Sequence, residues 1–179
     1  MSLRTLKTLI LPSNGQHTYI RILCNNNLIG NVFGKRWVHN DRQVLWITQL
    51  CVSLEHRNQG IAKWLLEEMR EEGDVGFGIL SSQPFAVMAF LRAFGRGLRE
   101  LEMETSKEKV QAVMESCPIG YVRDATLLEG EDGIVRCADT KFWVDHAEPN
   151  AAIEVIEKEG VWPLGELPDG HEYLAWLKK

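Results

Sequence analysis

The sequence predicts an α/β protein built on one mixed, mostly antiparallel sheet flanked by helices. Three observations predict it. Residues 45–52 (LWITQLCV) are rich in β-branched and aromatic side chains and long enough for a central strand. From residue 60 to 72 the period changes. Ile61, Ala62, Leu65, Leu66 and Met69 fall on one helical face, and Lys63, Glu67, Arg70 and Glu71 on the other. Residues 75–80 (VGFGIL) then form a second apolar run, which a right-handed crossover through that helix sets parallel to the first.

The other elements follow in order. Residues 18–24 (TYIRILC) read as a strand, and Asn25-Asn26-Asn27 as a turn, because Asn tolerates left-handed backbone angles. Residues 28–33 are the return strand of a hairpin. His39-Asn40-Asp41-Arg42 is a second turn, and residues 44–52 complete an antiparallel meander. Past residue 80, Ser81-Ser82-Gln83-Pro84 offers serine as an N-cap and proline for the first helical turn. Residues 85–94 then read as a short buried helix, ended by Gly95 and Gly97. Residues 106–116 (SKEKVQAVMES) predict a helix capped by Ser106. A strand is expected within 118–128, an acidic loop at 129–133, a strand at 141–144 (KFWV) and an amphipathic helix at 150–159, ending at Gly160. Residues 161–179 predict a hairpin: VWPLGEL, a Pro168-Asp169-Gly170 turn, then HEYLAWLKK.

Composition narrows the function. A chain of 179 residues suits a single domain, here 1–179, with room for a sizeable insertion. It is 45% hydrophobic and 25% charged, as soluble globular proteins are. Net charge is −5 and no basic patch or arginine-rich run occurs, which argues against nucleic acid as partner. A mildly acidic surface tolerates a cationic amine. Cys24, Cys51, Cys117 and Cys137 show no C-x-x-C spacing, and the histidines (17, 39, 56, 146, 171) form no H-E-x-x-H. Neither a metal site nor a disulfide framework is expected; reduced thiols in a cytoplasmic protein are. No apolar run reaches transmembrane length, so no membrane partner is expected, and the start MSLRTLKTLILP is too short and poorly formed for a signal peptide. The leading Met-Ser-Leu is of the kind left by cloning.

The junction between residues 52 and 62 points to an anion. A helix's first turn leaves backbone N–H groups unpaired and carries partial positive charge. Gly60 lets a ligand approach the backbone, and Arg57 adds a forked cationic donor. That combination suits a pyrophosphate. An ordinary β-loop-α connection, with Arg57 a structural surface residue, is the competing reading.

Arg57-Asn58-Gln59-Gly60-Ile61-Ala62 resembles the R/Q-x-x-G-x-G/A signature of the GNAT (N-acetyltransferase) superfamily. Val52, at the end of a hydrophobic strand five residues before Arg57, and the continuation Lys63-Trp64-Leu65-Leu66 also resemble the family. The likeness covers about 28 residues, 45–72. It implies a GNAT-like sheet and acetyl-CoA as co-substrate. Members usually open with a strand and two helices that cover the acceptor. Only about 17 residues precede the first strand here, so those helices are expected to be missing and the acceptor side open or covered otherwise. The family's A-x-x-x-Y-x-x-x-G-F helix has two possible registers. Ala152, Ile156, Gly160 and Val161 fit its spacing, but residues 81–94 are the nearer strand-helix pair. Taking 75–80 as the sheet's fifth strand makes roughly 97–150 an insertion before the C-terminal hairpin; the alternative places the insertion before Lys141.

The resemblance implies acetyl transfer to an amine of an unknown small molecule or protein. The implied acetyl-CoA contacts are Leu50, Cys51, Val52, Arg57, Asn58, Gln59, Gly60, Ile61, Ala62 and Ser82, with a backbone N–H within 50–52 polarising the thioester. Catalytic groups are harder to place. Thr48 and Gln49 stand where many members carry a Glu, and neither takes a proton well at neutral pH. Glu55 and His56 lie in the loop. In Asp145-His146, strand neighbours point to opposite faces, so one residue capping the next helix and the other solvated is the plainer reading. The family's tyrosine acid falls at Phe90, Leu91 or Ile156, none of which donates a proton; Tyr121, Tyr173 and Ser82 are available elsewhere. The candidates retained are Gln49, Glu55 and Tyr121. Cys51 reads as a packed small apolar residue rather than a nucleophile. Of six tryptophans, most are expected in the core or insertion and a few could line an acceptor pocket. The alternative function is a catalytically impaired relative that binds CoA or a protein partner. Aromatic strands near the C-terminus also suit a homodimer.

Overall fold

Two left-handed pairs set the register of the first three strands. Asn25 and Asn26 (φ 49° and 64°), and Asn40 and Asp41 (φ 48° and 59°), form the two-residue turns that match the twist of antiparallel strands. In the computed structural model, which describes residues 16–95, 97, 107–130, 132–160 and 162–179, these turns join β1 (Gln16–Cys24), β2 (Asn27–His39) and β3 (Arg42–Val52) into a meander. Helix α1 (Ile61–Glu68) returns the chain to β4 (Asp74–Ser81). β4 runs parallel to β3 from Gln43–Asp74 to Ile47–Ile79, which is the pairing the sequence favours. After α2 (Pro84–Phe94), α3 (Lys107–Glu115) and α4 (Gly120–Arg123) come β5 (Thr126–Glu129), β6 (Val135–Asp139), α5 (Ala147–Glu159) and β7 (His171–Lys178). The described strands form one sheet in the order β1-β2-β3-β4-β7-β6-β5. It is largely antiparallel and flanked by helices, as expected.

Strand alternation divides the core in two. Leu45 and Ile47 of β3 pack with Leu65, Leu66 and Met69 of α1 and with Val87, Phe90 and Leu91 of α2. Val44 and Trp46 face the other way, toward Val110, Val113 and Met114 of α3 and Val122 of α4. Helices α3 and α4 therefore cover the sheet face opposite α1 and α2. Trp46, Gly78 and Trp176 lie opposite one another across β3, β4 and β7. The two indoles stack with centroids 6.4 Å apart. A Cβ on Gly78 would lie 2.2 Å from the Trp46 ring, so this glycine makes room for the indole.

Several expectations need correction. The cap of α2 is Gln83, whose side chain accepts from the Phe85 amide, rather than a serine; Pro84 is in the first turn as expected. Residues 118–128 hold a strand only at their end, after the helical turn α4. Residues 141–144 form no strand, because β6 takes that place beside β7 and Lys141 turns the chain at φ 57°. The C-terminal hairpin is likewise only β7. Both edges of β7 are occupied, by β4 and β6, so residues 162–167 have no edge to join. They bury Trp162, Leu164 and Leu167 as a loop. The predicted cap Ser106, Gly97's neighbours 98–106 and residues 1–15 lie outside the described residues.

Candidate functional site

The site begins where the β3–β4 ladder stops. Thr48 is an extra residue on β3: Ile47 pairs with Gly34 and Gln49 with Phe33. Such a bulge bends the strand, and the Thr48 hydroxyl donates to the Phe33 carbonyl at 3.3 Å. β3 stays with β2 to Val52, while β4 stays with β7 to Ser81. The edge of β3 past Ile47 thus has no β4 partner. Between the strands lies a cleft of about 200 Å³ lined by Thr48, Gln49, Leu50, Ser81, Ser82 and Glu172, with Phe142 among the other lining residues.

The predicted anion loop follows β3 where the strand pair has parted. Gly60 is the N-cap of α1 at φ 78°. A Cβ there would meet no atom within 4 Å, so the backbone angle requires glycine and the space above it is open. Asn58 is also left-handed (φ 60°). Trp64 N–H donates to the Gly60 carbonyl at 3.0 Å; the amides before it belong to the helix's unpaired first turn. Arg57 is exposed and pairs with Glu148 of α5, Nη1 to Oε1 2.6 Å. The same Glu148 oxygen accepts from Gln83 Nε2 at 3.2 Å. One carboxylate therefore ties the loop to the start of α2.

The other end of the strand pair is closed by charge. Asp74 is fully buried and accepts from Arg36 Nε (2.9 Å), Arg36 Nη2 (3.0 Å), Gln43 Nε2 (3.0 Å) and the Glu71 amide (2.8 Å). Burial pushes its carboxyl up, but these hydrogen bonds and the guanidinium charge leave it below the usual carboxylate range.

Of the acetyl-CoA contacts expected, Leu50 and Ser82 line the cleft, and Arg57, Asn58, Gln59, Gly60, Ile61 and Ala62 form the loop and first helical turn after β3, outside the cleft lining. Val52 packs toward the α1 face. Cys51 is exposed rather than packed, and its Sγ accepts from Gln49 Nε2 at 3.5 Å. Gln49 lines the cleft. Glu55 sits in an exposed turn (Leu54–His56) outside the cleft lining, with its carbonyl held by Gln59. His56 Nδ1 is 2.8 Å from Ser53 Oγ. Phe90, Leu91 and Ile156 are core residues, and Tyr173 donates to the Gly165 carbonyl at 2.8 Å. Asp145 accepts from the Ala147 amide at the start of α5, while His146 faces Asp169 instead of solvent. No tryptophan is among the cleft residues; the aromatic there is Phe142.

Two carboxylates escaped the sequence reading. Glu148 carried no local signal. Glu172 did: it sits at the apolar positions of β7, two and four residues before Leu174 and Trp176, which face the α3 side. Burial pushes its carboxyl up, with partial relief from the Thr140 hydroxyl. Tyr121 of α4 lies close enough that Glu172's charge adds to the burial raising the phenol. The retained candidate Tyr121 is therefore a neighbour of Glu172.

The sequence model of the acetyltransferase (GNAT) family matches residues 3–80. No curated protein matches the chain. Among solved structures, the chain is similar to an aminoglycoside acetyltransferase, meta-AAC0020, from an uncultured soil metagenomic sample, in complex with sisomicin. Identity is 20% over 44% of this chain and 55% of that one, with a TM-score of 0.37. It is also similar to Tetrahymena GCN5, at 16% identity over 52% of this chain and 59% of that one, with a TM-score of 0.39. The chain thus spans little more than half the length of either.

Proposed function

We propose, for a chain that belongs to the GNAT acetyltransferase superfamily through its residues 3–80, that it transfers an acetyl group from acetyl-CoA to an amine. The observation that carries this reading is the open cleft between β3 and β4, together with the left-handed Gly60 loop that follows β3 and is tied through Glu148 to Gln83, the neighbour of the cleft residue Ser82. The residues fit the ligand. The amides of Ile61 and Ala62 and the Arg57 guanidinium would hold the pyrophosphate. The unladdered edge of β3 along 50–52 would offer hydrogen bonds to the thioester carbonyl, and Leu50 and Ser82 would line the pantetheine's path.

Isothermal titration of acetyl-CoA and CoA into the wild type and an Arg57→Glu variant tests this. Both ligands are expected to bind the wild type, and the reversed charge to weaken binding at least tenfold. A folded wild type that binds neither overturns the proposal. A second reading, a CoA-binding protein without turnover, is favoured by Gln49, which stands in the cleft where a carboxylate would serve as base. Acetyl-CoA consumption with a panel of amines separates the two.

A further inference from the structure

We propose that Glu172 takes the proton from the acceptor ammonium, and that the acceptor amine sits in the cleft on the Glu172 side of the sheet. The assignment rests on the transferase reading above. The lining residues of the cleft include one ionisable side chain, Glu172. It comes from β7, and its strand position places it on the same face as Leu174 and Trp176. Helix α1, which follows the anion loop, packs on the opposite face. A thioester lying along the β3 edge would therefore meet an amine and Glu172 on the side away from the loop.

The surroundings keep this carboxylate available. Among the described residues no cation is within ion-pair distance of it, whereas Asp74 and Glu148 are both engaged by arginine. The groups facing it are the Thr140 hydroxyl after β6 and Tyr121 of α4, with Cys117 behind Tyr121. Lys35 and Arg123 act on Cys117 rather than on Glu172. The Thr140 amide donates to the Gly170 carbonyl at 3.1 Å, while its buried hydroxyl oxygen has no well-aligned partner and is left to face Glu172. A carboxylate that burial holds above its ordinary range is a stronger base and stands closer to neutral pH, where a general base works best. Phe142, 56% exposed, gives the cleft an apolar rim. Carboxylate and ring together fit a primary amine on a hydrocarbon stem.

The step balances without a further reactant. Glu172 removes one proton from R–NH₃⁺. The freed nitrogen lone pair forms the C–N bond to the thioester carbonyl carbon. The C–S bond breaks with its electron pair on sulfur, and a second proton passes from nitrogen to sulfur. The products are the amide, CoA thiol and a protonated Glu172, which releases its proton to solvent.

The test compares wild type, Glu172→Gln and Glu172→Asp with phenethylamine, butylamine and hydroxylamine, each with acetyl-CoA. Calorimetry with acetyl-CoA is the folding and binding control. Glu172→Gln should bind acetyl-CoA as the wild type does and lose about a hundredfold in kcat with the alkylamines, the scale of general-base catalysis. Hydroxylamine is already neutral at pH 7 and should lose far less. Glu172→Asp should recover part of the loss, and the acid limb of the wild-type pH–rate profile should vanish in Glu172→Gln. Equal losses for all three amines, or an unchanged acid limb, overturn the assignment while leaving the transferase reading in place. So does a wild type that binds acetyl-CoA yet acetylates none of the amines. Absence of acetyl-CoA binding overturns the transferase reading itself.

Discussion

Asp74 and Glu172 are acids in the same sheet, and their surroundings treat them in opposite ways. Asp74 stands at the end where β3 and β4 pair, and Arg36, Gln43 and the Glu71 amide all donate to it. Glu172 stands at the end where the strands part, with the Thr140 hydroxyl for relief. One carboxyl is held below its ordinary range and the other above it. Four donors make a carboxylate a permanent anion that pins strands together; a scarcity of donors leaves one able to exchange a proton. The open end can part because the closed end is pinned.

The largest effect should therefore come from breaking the pin. Asp74→Ala strands the buried Arg36, which keeps Glu71 at 3.1 Å, the Thr18 hydroxyl at 2.8 Å and the Met69 carbonyl. With those partners left, the loss should fall at the lower end for a broken buried pair, about 3 kcal/mol by urea denaturation. Acid adds a second readout. The Asp74 carboxyl is depressed in the fold, so its stabilisation is complete above the unfolded pKa and lost as pH falls through the lower folded value. Wild type should lose this contribution below about pH 4, and Asp74→Ala should show a shallower acid dependence. Glu172 has the reverse sign. Its raised folded pKa penalises the fold as pH rises through the unfolded value, so Glu172→Gln should raise Tm slightly at pH 7 and leave it unchanged at pH 3. A fall at pH 7 would mean that Glu172 is a structural acid like Asp74.

The paired region depends next on shape. Gly78→Ala drives a methyl into the Trp46 ring, which is itself stacked on Trp176. Backbone on β4 and indoles on both sides leave little room to relax. A loss of about 2 kcal/mol is expected, in the range of overpacked cores, together with a change in tryptophan fluorescence. A neutral result would show that the closed end tolerates movement and that Asp74 alone holds it.

The two ends also differed in how far the sequence revealed them. The loop at Arg57–Ala62 was legible because its determinants are local: a strand end, a left-handed glycine and the first turn of one helix lie within about a dozen residues. The meander was legible for the same reason, through its Asn and Asp turns. Glu172 acquires meaning only from β7 inserting between β4 and β6, a neighbourhood no local pattern encodes. That insertion also explains the misread hairpin. Residues 162–167 are apolar enough for a strand, but no sheet edge remains for them. β6 (Val135–Asp139) escaped because a five-residue strand that includes Arg136 and Asp139 carries little hydrophobic signal and no clean alternation. The one available hint, an acid at an apolar position of β7, needed the strand's burial on both faces to be read.

The smallest effect on stability should come from the open end, at Glu148. Its pair with Arg57 is 46% and 62% exposed, and such surface pairs contribute about 0–1 kcal/mol. Glu148→Gln should accordingly leave Tm within about 2 °C of wild type. Ligand affinity should move more. Arg57 in the free protein is already engaged by one carboxylate, and a phosphate must displace it. Removing that charge frees the guanidinium without touching the Gly60 backbone, so acetyl-CoA should bind Glu148→Gln several times more tightly, with the largest gain at low ionic strength. Arg57→Glu and Glu148→Gln then make a pair: one weakens binding and the other strengthens it, and neither unfolds the chain. Equal or weaker affinity in Glu148→Gln would mean that Glu148 orders Arg57 for the ligand rather than competing with it.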